Sequence, residues 1–314
     1  MKISDNALNM LTAIRYRGVG RKWINDNLQG CSSVAQIVDR LAAKVGYVSE
    51  SAFLAQREDV RRRIEALGDA VDGVTGMGDE DFPCIPDRVK PVDRPVALFY
   101  RGNLELIRRV GSNVAVIGLL GPDDTIRSDE SRVVRELIRR GKCIVSGLAL
   151  GCDTVGHETA VANGGRTVAF LAGPLNEVNP PSNRPLAKEI VAQGGLLVSE
   201  YYEKARSRNE FLSRYPERDR LQAMFAGMVV LSASYAPNRL GLDCGSRFAM
   251  GKALEYGVPR AVIYNHAHAV GNAMYDLNRK SIGEGARIID PANVESMQLP
   301  DVSGLDVRQG SLFD

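Results

Sequence analysis

Cys143-Ile144-Val145-Ser146-Gly147-Leu148-Ala149-Leu150-Gly151-Cys152-Asp153, with His157 following, reads as a short buried strand, a loop of small residues, and a helix opening at Asp153 or Thr154. A brief apolar run that passes through glycines straight into a helix is one step of an α/β fold. That order sets backbone N–H groups and the positive end of a helix dipole at the tip of a strand, where an anion, most naturally a phosphate, fits. The same glycines also serve a tight strand-to-helix turn that uses only their backbone freedom. Taken alone, the loop leaves both readings open.

Working outward, apolar runs suited to buried strands recur at 96–100, 114–117, 143–145, 167–171, 196–198, 228–231 and 261–264. Most are separated by helical stretches such as 129–140, 153–163, 183–193 and 245–256. This alternation predicts an α/β domain with a mostly parallel sheet and helices on both faces, whose ligands bind beyond the carboxyl ends of the strands. Upstream, Leu8, Leu11, Ile14, Trp23, Ile24 and Leu28 recur at helical spacing, which predicts a small helical domain over residues 1–75. Within it, Arg17-Gly18-Val19-Gly20-Arg21-Lys22 resembles a helix-hairpin-helix element that could offer amides to a nucleic-acid phosphate. Equally, the two glycines could simply end one helix and start the next. The segment Val71-Asp72-Gly73-Val74-Thr75-Gly76-Met77-Gly78, with Pro83, Pro86, Pro91 and Pro95 beyond it, reads as loop, so 76–95 is expected to be a linker. The main domain then covers 96–290, and 291–314 is a polar, flexible tail.

The 314 residues carry a net charge of +2, so any affinity for nucleic acid must come from a local patch. Five cysteines without a C-x-x-C pair argue for free thiols and against a zinc site or a disulfide framework. No apolar run reaches membrane-spanning length and the first residues lack a signal segment, so a cytoplasmic protein without membrane contact is expected.

Four loops gather at the expected ligand edge: Gly118–Asp124, Ser146–Asp153, Ala172–Asn176 and Leu240–Arg247. In the last, Gly245 and Ser246 can cap a helix and Arg247 can pair with an anion. The run Arg206–Arg220 mixes arginine with Phe211 and Tyr215, which suits phosphate contact and base stacking. It is also the pattern of a solvated helix with internal ion pairs. Asp153 and His157 share a helix face four residues apart, where His157 can order the loop or act as a base. His266 and His268 have no third ligand spaced with them, so a surface loop and no metal are expected.

Ser146-Gly147-Leu148-Ala149-Leu150-Gly151-Cys152-Asp153 followed by His157 resembles the S-G-x-A-x-G-I-D-x-x-x-H signature of the DNA-processing protein A (DprA/Smf) family. Leu98-Phe99-Tyr100-Arg101-Gly102-Asn103, Gly165–Gly173, Gly194–Glu200, the Phe211–Arg220 run, Gly245-Ser246, and Asn278 with Gly285-Ala286 resemble further motifs of that family in the same order. The resemblance implies an extended Rossmann-like domain that binds single-stranded DNA, forms homodimers, helps load RecA, and has neither a cofactor nor turnover chemistry. It places Ser146, Gly147 and Gly151 in a phosphate pocket, with Arg218 and Arg220 adding charge and Gly245 and Ser246 supplying amides. Departures are visible: Gly118-Leu119-Leu120 stands where the family carries G-S-R, and Arg218-Asp219-Arg220 where it carries R-N-R. The residues after Asp290 are too few for the winged helix many members carry, which fits a divergent member without it.

Gln309, Leu312 and Phe313 in the tail resemble the Q-x-x-L-F peptide that docks on the sliding clamp. A second functional reading, from the wider superfamily, is a nucleotide-ligand sensor or a nucleotide N-glycosidic-bond hydrolase. It would use a carboxylate among Asp153, Glu200, Asp219 and Asp243.

Overall fold

The computed structural model describes residues 1–31, 33–238 and 240–300. The chain divides into two units, the first made of Met1–Arg101 with the short segments Gly173–Glu177 and Val198–Ala205, the second of the remainder.

In the first unit a two-residue strand β1 (Lys2–Ile3) leads into four helices, α1 (Asp5–Ala13), α2 (Arg21–Asn27), α3 (Val34–Val45) and α4 (Glu50–Glu65). Serines open three of them: Ser4, Ser33 and Ser49 each accept the backbone N–H three residues on, which satisfies an otherwise orphaned donor. Met10, Ile24, Leu28, Ile37, Leu41 and Phe53 are buried together between these helices. Val19, between Gly18 and Gly20, joins the same core. The neighbouring basic residues are engaged within the unit, Arg21 with the Val92 carbonyl and Glu200, and Lys22 with Asp26.

The glycine-rich stretch expected as loop instead contains a strand, β2 (Gly73–Gly76), antiparallel to β3 (Ala97–Gly102) and parallel to β1. Its glycines serve close approach rather than turning. A Cβ on Gly73 would stand 2.5 Å from the Tyr100 hydroxyl, and one on Gly76 would stand 2.4 Å from the Ala7 nitrogen of α1.

The second unit alternates as the sequence predicts: β4 (Asn113–Ile117), α5 (Asp124–Arg139), β5 (Cys143–Ser146), α6 (Cys152–Ala162), β6 (Thr167–Leu171), α7 (Arg184–Ala192) and β7 (Leu196–Ser199). It continues through α8 (Arg208–Met224), β8 (Met228–Leu231), α9 (Arg247–Glu255), β9 (Arg260–Ile263), α10 (His266–Ala269), α11 (Asp276–Gly283) and β10 (Arg287–Ile289). The strands lie in the order β7-β6-β5-β4-β8-β9-β10. The β4–β5, β5–β6, β4–β8, β8–β9 and β9–β10 pairs are parallel. From β4 the chain winds outward through β5 and β6, and from β8 it winds the opposite way through β9 and β10. The reversal between β4 and β8 leaves a crevice at their carboxyl ends, where ligands of such sheets bind. Val114, Val116, Ile144, Met228 and Val230 meet Val133, Val134 and Leu137 of α5 in the core on one face.

On α5 the buried stripe runs Ile126, Glu130, Val133, Val134, Leu137, so a glutamate occupies a position with the spacing of a core residue. His266 and His268 fall in the single turn of α10 rather than in a loop, and His268 Nε2 lies 2.8 Å from Asp129 Oδ2. Among the described residues no group of three or more His, Cys, Asp or Glu is placed to hold a metal, and no helix is long and apolar enough to cross a membrane.

Candidate functional site

A cleft of about 560 Å³ opens at the reversal point of the second unit's sheet. Its floor is the end of β4 and the residues after it, Ile117, Gly118 and Leu120, and one wall is Ala149, Leu150 and Asp153 of the glycine loop. The facing wall is α8, whose Phe211, Leu212, Tyr215, Arg218, Asp219 and Gln222 fall on one helix face. Ser207 starts this helix by accepting the Glu210 N–H, and Pro216 lies within it. The arginine-and-aromatic run is therefore a continuous helix presenting a mixed apolar and charged face. Phe211 and Tyr215 meet edge to face at 5.2 Å, and the Arg218 guanidinium lies 5.8 Å from the Tyr215 ring centre.

The glycine loop is held shut by its own helix. Asp153 Oδ2 accepts the N–H groups of Gly147 and Ala149, each at 3.2 Å, and Thr154 donates to the Ala149 carbonyl. Asn183, at the start of α7, donates to the carbonyls of Leu148 and Ala149 and to Thr154 Oγ1. Leu148 is held at φ +56°, a conformation uncommon for a residue with a side chain. Gly151 has φ +75°, and a Cβ there would stand 2.1 Å from the Leu119 carbonyl oxygen. That carbonyl accepts the Cys152 N–H at 2.9 Å, which seats the start of α6 on the loop after β4. Gly147 has a different reason: its Cβ would fall 0.9 Å from Arg218 Nη1, so only a bare backbone leaves room for the guanidinium.

Arg218 is buried, donates to the Phe170 carbonyl at 3.3 Å, and lies between Asp153 Oδ2 at 3.6 Å and Asp219 Oδ1 at 3.0 Å. The Gln222 amide satisfies its neighbours with its oxygen turned toward Gly147 N at 2.8 Å and Arg218 Nη1 at 3.0 Å. Burial pushes the Asp219 carboxyl up to about 6, against the pull of Arg218 and with help from Asp153. On the opposite rim Asp243 accepts the N–H groups of Leu120 at 2.6 Å and Gly245 at 3.3 Å, and Ser246 donates to the Gly118 carbonyl.

The residues expected at the site thus separate into groups. Gly147, Gly151, Asp153, Arg218, Gly245 and Ser246 come together at or directly beneath the cleft. Ser146 is turned away: it is fully buried and its hydroxyl donates to the Val116 carbonyl at 2.7 Å, pinning β5 to β4. Arg220, two residues after Arg218, points off the cleft face of α8; it is buried and donates to the Glu217 carbonyl. Arg247 donates to the Cys244 carbonyl and lies 4.3 Å from the Phe248 ring centre, outside the cleft lining. His157 orders no loop directly. It is fully buried with Nδ1 2.7 Å from Thr167 Oγ1, so it ties α6 to β6. Burial first, and the nearby Arg218 second, push it down to about 3, which keeps it neutral. Gln309, Leu312 and Phe313 lie outside the described residues.

Two residues escaped the sequence reading. Asn183 looks like any helix-start asparagine, and Gln222 sits in a run whose charges draw the eye. The signal for Gln222 was its place one helical turn beyond Arg218, on the face already marked by Phe211 and Tyr215.

A doubly wound parallel sheet with its cleft at the reversal point, walled by a glycine loop and an aromatic, arginine-bearing helix, defines a Rossmann-like protein. Residues 73–297 match the family model described as DNA recombination-mediator protein A, and the chain belongs to that family. DNA processing protein DprA of Streptococcus pneumoniae is 28% identical over 208 residues, 66% of this chain and 68% of that protein. Protein Smf of Synechocystis is 28% identical over 201 residues, 63% of this chain and 48% of that protein. DprA of Bacillus subtilis is 26% identical over 214 residues, 67% of this chain and 66% of that protein. The X-ray structure of the pneumococcal protein superposes with a TM-score of 0.71 at 22% identity, covering 96% of this chain and all of that one, which shows the fold. A Helicobacter pylori DNA processing protein A, whose structure addresses its single-stranded DNA binding mode, gives a TM-score of 0.56 at 25% identity over 74% of this chain and 95% of its own.

Proposed function

We propose that this chain is a single-stranded-DNA-binding protein acting as a recombination mediator, and that the cleft at the sheet reversal holds the strand. The observation that carries the reading is the face of α8, where Phe211, Tyr215 and Arg218 line one cleft at the carboxyl ends of the strands. Aromatic rings take unstacked bases and a guanidinium takes charge, which is how proteins hold single strands. Membership of the recombination-mediator family supports it, as does the single-stranded DNA binding of the Helicobacter relative. On this reading the protein works by binding rather than turnover, as a homodimer that passes its strand to a RecA-type recombinase. A gel-shift series with single-stranded, duplex and tailed DNA at two salt concentrations tests it. Single strands are expected to bind best, with affinity falling steeply as salt rises; equal affinity for duplex, or no salt dependence, counts against it.

One observation favours a second reading, a nucleotide-ligand sensor or N-glycosidic-bond hydrolase: the lining brings three carboxylates, Asp153, Asp219 and Asp243, to one nucleotide-sized cleft. A carboxyl held above its ordinary range, as Asp219 is, suits a general acid. Release of free base from nucleoside monophosphates by the protein would favour that reading over the first.

A further inference from the structure

We infer that helix α5 carries a second DNA surface, a stripe of Arg132, Arg135 and Arg139 that holds the phosphate backbone of a duplex. The inference goes beyond the single-strand reading, because it concerns another face of the second unit and another form of DNA. The three arginines are exposed and lie at positions i, i+3 and i+7, with exposed Ser128 one turn earlier on the same face. That face is opposite the buried stripe of Ile126, Glu130, Val133, Val134 and Leu137. A solvated helix ordinarily alternates charges of both signs along its exposed face. Here the carboxylates of the helix are all placed elsewhere. Asp124 is in the first turn, Asp129 meets His268, Glu130 is buried, and Glu136, also buried, accepts from Arg139 and Arg140. The neighbouring α6 adds one exposed carboxylate, Glu158. The negative end of the helix dipole accounts for Arg139 and Arg140, but not for Arg132 and Arg135, which precede the last turn.

The chemistry of the stripe selects its partner. Arg132 gives one N–H to the Pro291 carbonyl, and Arg135 has no hydrogen-bond or ion-pair partner among the described residues. A guanidinium keeps its charge at every working pH, and its planar fork takes phosphate oxygens in pairs. Unlike the α8 wall, the stripe holds no aromatic residue on which an unstacked base could lie. It therefore suits a duplex, whose bases are stacked inside and whose outer surface is phosphate. Arg132 and Arg139 stand about 10 Å apart along the helix axis, which spans about three phosphates of one strand. Position completes the argument. Gly118 and Leu120 line the cleft, Asp123 caps the start of α5, and the helix leads from there away from the carboxyl ends of the strands. A DNA with a single-stranded tail then keeps its tail in the cleft and lays its duplex along the arginines.

Fluorescence anisotropy compares three probes: a strand of about twelve nucleotides, a blunt duplex of about sixteen base pairs, and that duplex carrying the strand as a tail. The native chain is expected to bind the tailed probe about tenfold tighter than the strand alone, since the second contact is intramolecular. In Arg132→Gln/Arg135→Gln that advantage should shrink to about twofold, and the salt slope for the tailed probe should fall by about two. Affinity for the strand alone should stay unchanged. Arg135→Glu, which removes no hydrogen bond or ion pair among the described residues, should act in the same direction. Melting followed by circular dichroism checks that both variants are folded. A tailed probe bound no better than its strand overturns the inference, and so does an advantage undiminished in both variants. An equal loss for the strand alone overturns it too, because the arginines then belong to the single-strand path. Poly-glutamate that displaces the duplex as readily as unlabelled duplex of equal charge would assign the stripe to acidic protein segments and overturn it as well. If the strand alone fails to bind while duplex binding depends on Arg135, the cleft reading falls and this one stands.

Discussion

Replacing Glu130 with glutamine is expected to remove a pH dependence from the stability of the fold. Glu130 sits on the buried stripe of α5 with no exposure, and neither carboxyl oxygen has a well-formed hydrogen-bond partner among the described residues. Burial pushes its carboxyl from 4.5 up to about 8; the nearby Cys152 thiol and Ser232 hydroxyl oppose that, and Asp153 adds to it. The folded protein holds this proton more tightly than the unfolded chain. Its stabilising contribution is therefore complete below 4.5 and is lost as pH rises through about 8. Between about pH 5 and about pH 7 the loss amounts to roughly 2–3 kcal/mol, because each unit of pH in that window costs up to about 1.4 kcal/mol. Asp219, raised from 3.8 to about 6, contributes in the same direction at lower pH. His157, lowered from 6.5 to about 3, works oppositely: its contribution is present above 6.5 and is lost as pH falls. The unmodified protein's own profile mixes these, so the informative quantity is a difference. Urea unfolding of the native chain and Glu130→Gln across this pH range should show the native chain losing roughly 2–3 kcal/mol relative to the variant. A difference that stays flat, or one that grows in favour of the native chain as pH rises, would refute a neutral buried carboxyl.

Other expectations follow from the cleft. Gly147→Ala drives a methyl into the Arg218 guanidinium, so both stability (by about 1–3 kcal/mol in thermal or urea unfolding) and single-strand affinity should fall. Arg218→Ala should weaken single-strand binding in fluorescence anisotropy, whereas Arg220→Ala, buried off the cleft, should lower stability and leave single-strand affinity little changed. Asn183→Ala removes three donated hydrogen bonds from the glycine loop and should cost about 1–3 kcal/mol, with faster amide exchange at Leu148 through Leu150 as the local readout.

The alternation of apolar runs and helical stretches from Val96 onward made the parallel sheet legible, because buried strands in such sheets need continuous apolar residues. The strand Gly73–Gly76 was hidden by its composition: glycines that permit Tyr100 and α1 to approach look, in sequence, like glycines that turn the chain. Helix α8 was masked by its charge, since its buried side includes Arg214, Arg218 and Arg220 rather than an apolar stripe. The strand, glycine turn and helix around Ser146–Asp153 were legible from residue type alone. What the loop does with its amides depended on Asp153 folding back onto Gly147 and Ala149, a contact between residues four and six apart that spacing alone does not fix.

That fold-back has a kinetic consequence. With Asp153, Thr154 and Asn183 all gripping the loop, its conformation is set before any ligand arrives, so association requires no ordering step there. The rate of capture is then governed by encounter, and substitutions that loosen the grip should register chiefly as shorter residence times. On the proposed reading, a wall built in advance would serve as a fixed template against which successive segments of a passing strand are tried and released.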